Sequence, residues 1–161
     1  MQDEQFPPEL TAEDGKGTTG SVTQSLYGRI QTLSVPEKIK LATVGNREAR
    51  NLLIRDSNRV VAQAVLESPR LTMEEVVSFA ANKNLSGDII RTLSEKKEFL
   101  KNYAVRCALV TNPKTPVATA LRLLGTLREH DLKNISRDRN IPSVISRAAL
   151  QELNRQSTRK G

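Results

Sequence analysis

Asn58-Arg-Val-Val-Ala-Gln-Ala-Val-Leu-Glu-Ser-Pro-Arg70 and Asn102-Tyr-Ala-Val-Arg-Cys-Ala-Leu-Val-Thr-Asn-Pro-Lys114 nearly repeat one another at an offset of 44 residues. Asn58/Asn102, Val61/Val105, Ala64/Ala108 and Pro69/Pro113 are identical, and Val60/Ala104, Val65/Leu109 and Leu66/Val110 agree in being apolar. The match runs past the prolines through Met73/Val117, Val76/Ala120, Val77/Leu121, Phe79/Leu123 and Ala80/Leu124. Apolar residues three and four apart mark one face of a helix. Proline then ends the helix, because it removes a backbone donor and pushes the preceding residue out of helical angles. Each copy reads as helix, break, helix, and self-similarity at this period marks helix pairs stacked on one another. Aspartate at Ala108, on the inward face of the second copy, would bury an unpaired charge and destabilise the stack.

On the N-terminal side, Leu26, Ile30 and Leu33 form a helical stripe, and Ser34-Val-Pro-Glu37 has the form of a capping box. Ile39, Leu41, Ala42 and Val44 follow, and Gly45 is placed to end that helix in a left-handed turn. Asn46 is a candidate cap for a helix bearing Ala49, Leu52, Leu53 and Ile54. Thr72-Met-Glu-Glu75 is a second capping box, and Ser86 a further cap before Ile89, Ile90 and Leu93. The run Glu95 to Lys101 is either that helix prolonged or a charged turn. In Asn112-Pro-Lys-Thr-Pro116 the first proline stops a helix, Thr115 is a candidate cap, and Pro116 suits a first helical turn. Beyond it the offset grows to 56, since the residues before Asn82-Lys-Asn84 now match those before Asp138-Arg-Asn140. Twelve residues are thus inserted near Thr126 to Asp131, and Ile141-Pro142 opens a last helix. No stretch alternates with the period of a strand. The expected fold is all-α: short α-α helical repeats stacked as a small right-handed solenoid. Residues 1–24 read as a disordered acidic tail, a linker or else a segment that folds back through its acids or docks on a partner through Phe6-Pro-Pro-Glu-Leu10; 25–154 read as the helical-repeat domain and 155–161 as a frayed basic C-terminus.

The 161 residues carry a net charge of +7, unevenly divided. Residues 1–24 hold five acids and one base, so the rest is strongly basic and suited to anionic partners. Aromatics make up 3% and Trp is absent, so Leu, Val, Ile and Ala must do the packing. One cysteine excludes an internal disulfide; Cys107 reads as a small buried hydrophobe. Cys107 and His130 together make no metal site. No apolar run reaches the roughly 20 residues of a membrane span. A cytoplasmic protein without membrane insertion is expected.

For chemistry the inventory is thin. His130 lies in the charged stretch Arg128-Glu-His-Asp131 with no nucleophile beside it. Gly87 and Gly125 are isolated, and no cofactor is expected. Neither catalytic nor metal-binding residues are assigned, and an enzyme is not expected. Binding features are richer. Arg47, Arg50, Arg55 and Arg59 form one basic group, with Arg47 and Arg50 an i, i+3 step. Lys101, Tyr103 and Arg106 open the second repeat, and Arg137, Arg139 and Arg147 surround Asn140. Lys83 lies in Asn82-Lys-Asn84, which corresponds to Asp138-Arg-Asn140, so the two turns should line one edge. Against the bland alternative of solvated faces and helix caps, these residues outline a basic strip in which arginine grips carboxylate or phosphate with paired hydrogen bonds.

The repeated Asn…Val…Ala…Pro segments and the break-then-cap signals after Ser68 and Asn112 resemble HEAT and armadillo-type α-solenoids, and also the leucine-rich repeat variant family. The resemblance covers roughly residues 36–153. It implies a fold of short helix pairs and a surface that binds proteins, or in basic members nucleic acid. The expected function is therefore a non-enzymatic scaffold module that binds a protein partner, such as an acidic segment. The alternatives are sequence-independent nucleic-acid binding through the phosphate backbone and, behind it, a small anionic ligand such as a nucleotide. With few aromatics, stacking on single-stranded bases is poorly supported, whereas duplex backbone contacts need none.

Overall fold

The computed structural model describes residues 6–12 and 20–161, and every regular element among them is an α-helix. The chain divides into two compact units, Met1–Glu75 and Val76–Gly161.

The first unit contains α1 (Pro8–Thr11), α2 (Gly20–Gln31), α3 (Val35–Val44), α4 (Arg47–Leu53) and α5 (Arg59–Leu66). Leu26 and Ile30 of α2, Leu41 and Ala42 of α3, Ala49 and Leu53 of α4, and Val61 and Val65 of α5 are buried, the inward face that the periodicity predicts. The Ser34–Glu37 capping box is present: Glu37 N–H donates to Ser34 Oγ, and Ser34 N–H to Glu37 Oε2 at 2.7 Å. Asn46 and Asn58 cap α4 and α5. Asp56 joins α5 to α3, accepting Lys38 Nζ at 2.7 Å and the Asn58 N–H at 2.8 Å.

Gly45 does end α3, but with φ −69° and ψ 161°, so no left-handed turn is made. Glycine is needed there for space. A Cβ at Gly45 would stand 2.5 Å from Leu41 O and 2.7 Å from Ala49 Cβ. Backbone must then move, so Gly45→Ala is expected to lower the unfolding free energy by about 1–3 kcal/mol, measured by urea titration.

Two further differences concern the ends of the chain. Order reaches beyond Ser25 to Gly20, and residues 6–12 are packed with Phe6 and Leu10 buried, whereas this stretch reads from its composition as tail. The remainder of that stretch, residues 1–5 and 13–19, lies outside the described residues. At the other end, Asn154–Lys160 continues the last helix, with Arg155 bonded to Glu152 and Lys160 Nζ 3.2 Å from Glu129 Oε2.

α6 (Met73–Ala81) carries the chain from the first unit into the second, which holds α7 (Gly87–Glu95), α8 (Lys97–Leu100), α9 (Tyr103–Thr111), α10 (Val117–Leu124), α11 (Glu129–Arg137) and α12 (Ser143–Lys160). The charged run after Glu95 is thus neither a prolonged helix nor a simple turn; α8 is a separate helical turn that buries Phe99. α11 and α12 pack most extensively, and α10 lies against both α9 and α12. Ile90, Leu93, Val105, Leu109, Leu124, Leu132 and Ala149 form the interior. The growth of the repeat offset from 44 to 56 has a concrete cause. Where the first copy has one helix, α6, between its two breaks, the second has two, α10 and α11.

Three of the breaks share one device. Asn82 Oδ1 accepts the Asn84 N–H at 2.9 Å, Asn112 Oδ1 the Lys114 N–H at 3.0 Å, and Asp138 Oδ1 the Asn140 N–H at 2.8 Å. These are Asx turns, in which a side chain replaces the next backbone acceptor. The fourth residue of each turn, Leu85, Thr115 or Ile141, is buried. Thr115 is no cap: its hydroxyl donates back to Leu109 O at 2.6 Å. Pro116 and Pro142 stand just before their helices rather than in the first turn. Asn112 also ties the turn to α6, donating from Nδ2 to Ala80 O at 2.8 Å.

Candidate functional site

Tyr103 is the first residue of α9, set there by Asn102, whose side-chain oxygen accepts the Val105 N–H at 3.2 Å. The ring leans on the start of α11. Its hydroxyl donates to Asp131 Oδ2 at 2.5 Å and accepts the Arg128 N–H at 2.8 Å. Burial, then the bond to Asp131, pushes the phenol up to about 12, so it stays a neutral donor across the physiological range. Two guanidinium groups lie over the ring, Arg128 with Cζ 4.4 Å from the centroid and Arg106 at 5.3 Å. Such contacts hold a cation in place without neutralising it.

The two arginines differ in what they have left to give. Arg106 Nη1 donates to Leu100 O at 2.8 Å and Lys101 O at 3.3 Å, closing the end of α8, while its Nε is buried without an acceptor. Arg128 is exposed and makes no side-chain ion pair or hydrogen bond among the described residues. Cys107 lies beside the ring; burial raises its thiol, which remains protonated at neutral pH. The surrounding unit, Val76–Gly161, contains 16 Lys and Arg against 7 Asp and Glu, a net of +9, so the chain's positive charge resides here. Between α10 and α12 an open cleft of roughly 460 Å³ is lined by Leu121, Arg122, Leu124, Ala148, Glu152 and Arg155, the last two bonded to each other.

Of the residues that sequence singles out, the structure brings Tyr103 and Arg106 together. Lys101 is exposed at the end of α8. Lys83, Arg137, Arg139 and Asn140 are exposed at the two equivalent turns. In the first unit Arg47, Arg55 and Arg59 are exposed, Arg47 lying 3.7 Å from Glu74. Arg50 is the exception: it is 1% exposed and cannot belong to a surface strip. Its Nε and Nη2 bond both oxygens of Glu75 at 2.7 and 3.0 Å, and Nη1 donates to Gly45 O at 2.8 Å. Glu75 meanwhile closes the Thr72 capping box, accepting the Thr72 N–H at 2.9 Å.

Arg128 and Asp131 are the members of the Tyr103 cluster that sequence reading misses, since they sit in a charged stretch 25 and 28 residues away. The usable signal was a tyrosine opening a repeat in a chain poor in aromatics. His130, between them, is exposed and near Asn134. Among the described residues, no group of three or more His, Cys, Asp and Glu is placed to hold a metal ion, and no helix is long and apolar enough to cross a membrane. Comparisons with protein-family models, curated proteins and solved structures returned no match.

Proposed function

We propose that the protein is a non-enzymatic, cytoplasmic helical-repeat module of the HEAT/armadillo-like kind, its helix pairs stacked as a small right-handed solenoid, that binds an acidic segment of a protein partner on the basic unit Val76–Gly161. The recurrence of the same Asx turn between helices supports the repeat architecture. The observation that carries the binding reading is Arg128, held over Tyr103 with its donors uncommitted in a unit of net charge +9. Holding the guanidinium by its face leaves the edge free for a carboxylate, which it can meet with two parallel bonds. Arg106 adds a second positive charge at the same ring.

The test is fluorescence anisotropy of a labelled glutamate-rich peptide, run beside a labelled DNA duplex across a salt series. Peptide binding is expected, and Arg128→Glu is expected to weaken it roughly tenfold or more, the worth of a charge-assisted hydrogen bond. Unchanged affinity in a folded Arg128→Glu protein overturns the anchor. Duplex backbone binding is the second reading, favoured by the same charge and by a ring that already carries two guanidinium groups and so is closed to base stacking. A steep fall of duplex affinity with salt, with no peptide binding, would put that reading first.

A further inference from the structure

Residues 6–12 sit in the first unit as a bound peptide would. Phe6 is 6% and Leu10 2% exposed, an apolar pair four residues apart. Between them Pro7 is extended, with φ −65° and ψ 150°, and Pro8 opens the helical turn of α1. A single helical turn leaves its last four carbonyls without partners. Here Pro8 O is taken by the Ala12 N–H, and two side chains and one N–H of the body take the four that follow, Glu9 to Ala12. Asn46 Nδ2 donates to Glu9 O and Ala12 O, each at 2.8 Å, and the Asn46 N–H donates to Leu10 O at 2.7 Å. Arg70 Nη1 donates to Thr11 O at 3.3 Å and also to Val44 O, which fixes the guanidinium against the end of α3.

Asn46 is itself locked. Its Oδ1 accepts the Ala49 N–H at 3.0 Å as the cap of α4, so Nδ2 must point at the segment, and the residue is 7% exposed. The donors therefore belong to the body and are fixed by its own helices. On the segment side these contacts engage main-chain carbonyls, which any sequence can offer. Specificity falls on Phe6 and Leu10, and on prolines that set the backbone before docking. Main-chain bonds for affinity and spaced side-chain anchors for selectivity are the division of labour in peptide recognition.

We infer that this seat, built from Asn46, Arg70 and the α3–α4 junction, is a peptide-binding site, filled in cis by residues 6–12 and open in trans to a partner segment of the same pattern: an aromatic residue, two prolines, and a leucine four residues after the aromatic. The inference is independent of the reading of Val76–Gly161. A cis ligand on a short tether acts at roughly millimolar effective concentration, so a trans segment must compete with it.

The experiment uses the full-length chain with its own anchors removed, Phe6→Asp with Leu10→Asp, and a fluorescent peptide spanning residues 2–12. The emptied chain is expected to bind the peptide, the unaltered chain to bind it at least about tenfold more weakly through cis competition, and Arg70→Ala in the emptied chain to abolish binding. An emptied chain that keeps its helical circular dichroism and ignores the peptide at about millimolar concentration overturns the inference. Hydrogen exchange of the Asn46 amide in the unaltered chain decides the matter should the emptied chain fail to fold. Exchange at least about tenfold faster than that of the Gly45 amide, which is held by Leu41 O, shows the segment leaving alone. Equal rates show it leaving only with the unit and overturn the site.

Discussion

Arg50→Ala is expected to remove about 3–5 kcal/mol of unfolding free energy, measured by guanidinium titration followed by circular dichroism. The loss comes less from the pair itself than from what it strands. Glu75 is 1% exposed, and without Arg50 its carboxylate keeps the Thr72 contacts but no positive charge. Gly45 O loses a donor at the same time. Because the penalty is that of an orphaned charge, replacing both partners by apolar side chains, Arg50→Met with Glu75→Leu, should recover much of it. A single mutant within about 1 kcal/mol of the parent would mean that water reaches Glu75 and that the pair is worth no more than a surface bridge. The pair also sets a pH dependence. Burial raises the Glu75 carboxyl, but the bonds from Arg50 and Thr72 outweigh it and leave it below its usual 4.5. A carboxyl lowered in the folded state contributes stability that is complete above the unfolded value and is lost as pH falls through the folded one. Stability should therefore fall below about pH 4.5 in the parent and fall less in the double apolar variant.

Ala108→Asp is the second large effect, on the order of 3 kcal/mol. Ala108 lies on the inward face of α9, 9% exposed, between the buried Val105 and Leu109 and beside Val110. Arg106, two residues before it, is turned toward Leu100 O and the Tyr103 ring and so is engaged elsewhere. Burial of the aspartate would raise its carboxyl, so the gap to the parent should narrow as pH falls and the group protonates. Ala108→Ser, similar in size and able to bond within the helix, is the control and should cost about 1 kcal/mol or less. A thermal midpoint unchanged in Ala108→Asp would place residue 108 in water.

The contrast between these sites explains what the sequence makes legible. Ser34 with Glu37, Thr72 with Glu75, and Asn46 and Ser86 as caps are all readable, because donor and acceptor lie within three residues and the chemistry is local. Arg50 is not, because a step of three residues turns a helix about 60° away from eclipse, enough to carry a side chain from the surface beside Arg47 into the interior. Glu75 likewise looks complete as a capping residue and gives no sign of its second bond, made 25 residues away. Phe6-Pro-Pro-Glu-Leu10 is legible as a docking segment but its seat is not, since Asn46 and Arg70 lie 34 to 59 residues further on. For Tyr103, half of the site comes from the same helix and is legible, and half comes from α11, which only the folded chain brings near.

The Asx turns between helices carry an evolutionary consequence. Each is closed by its own first residue, so a gene segment ending at such a joint can be duplicated or excised while both new junctions still fold locally. The extra helix that separates α9 from α12, where α5 and α7 are separated by one, has the form such an event would leave.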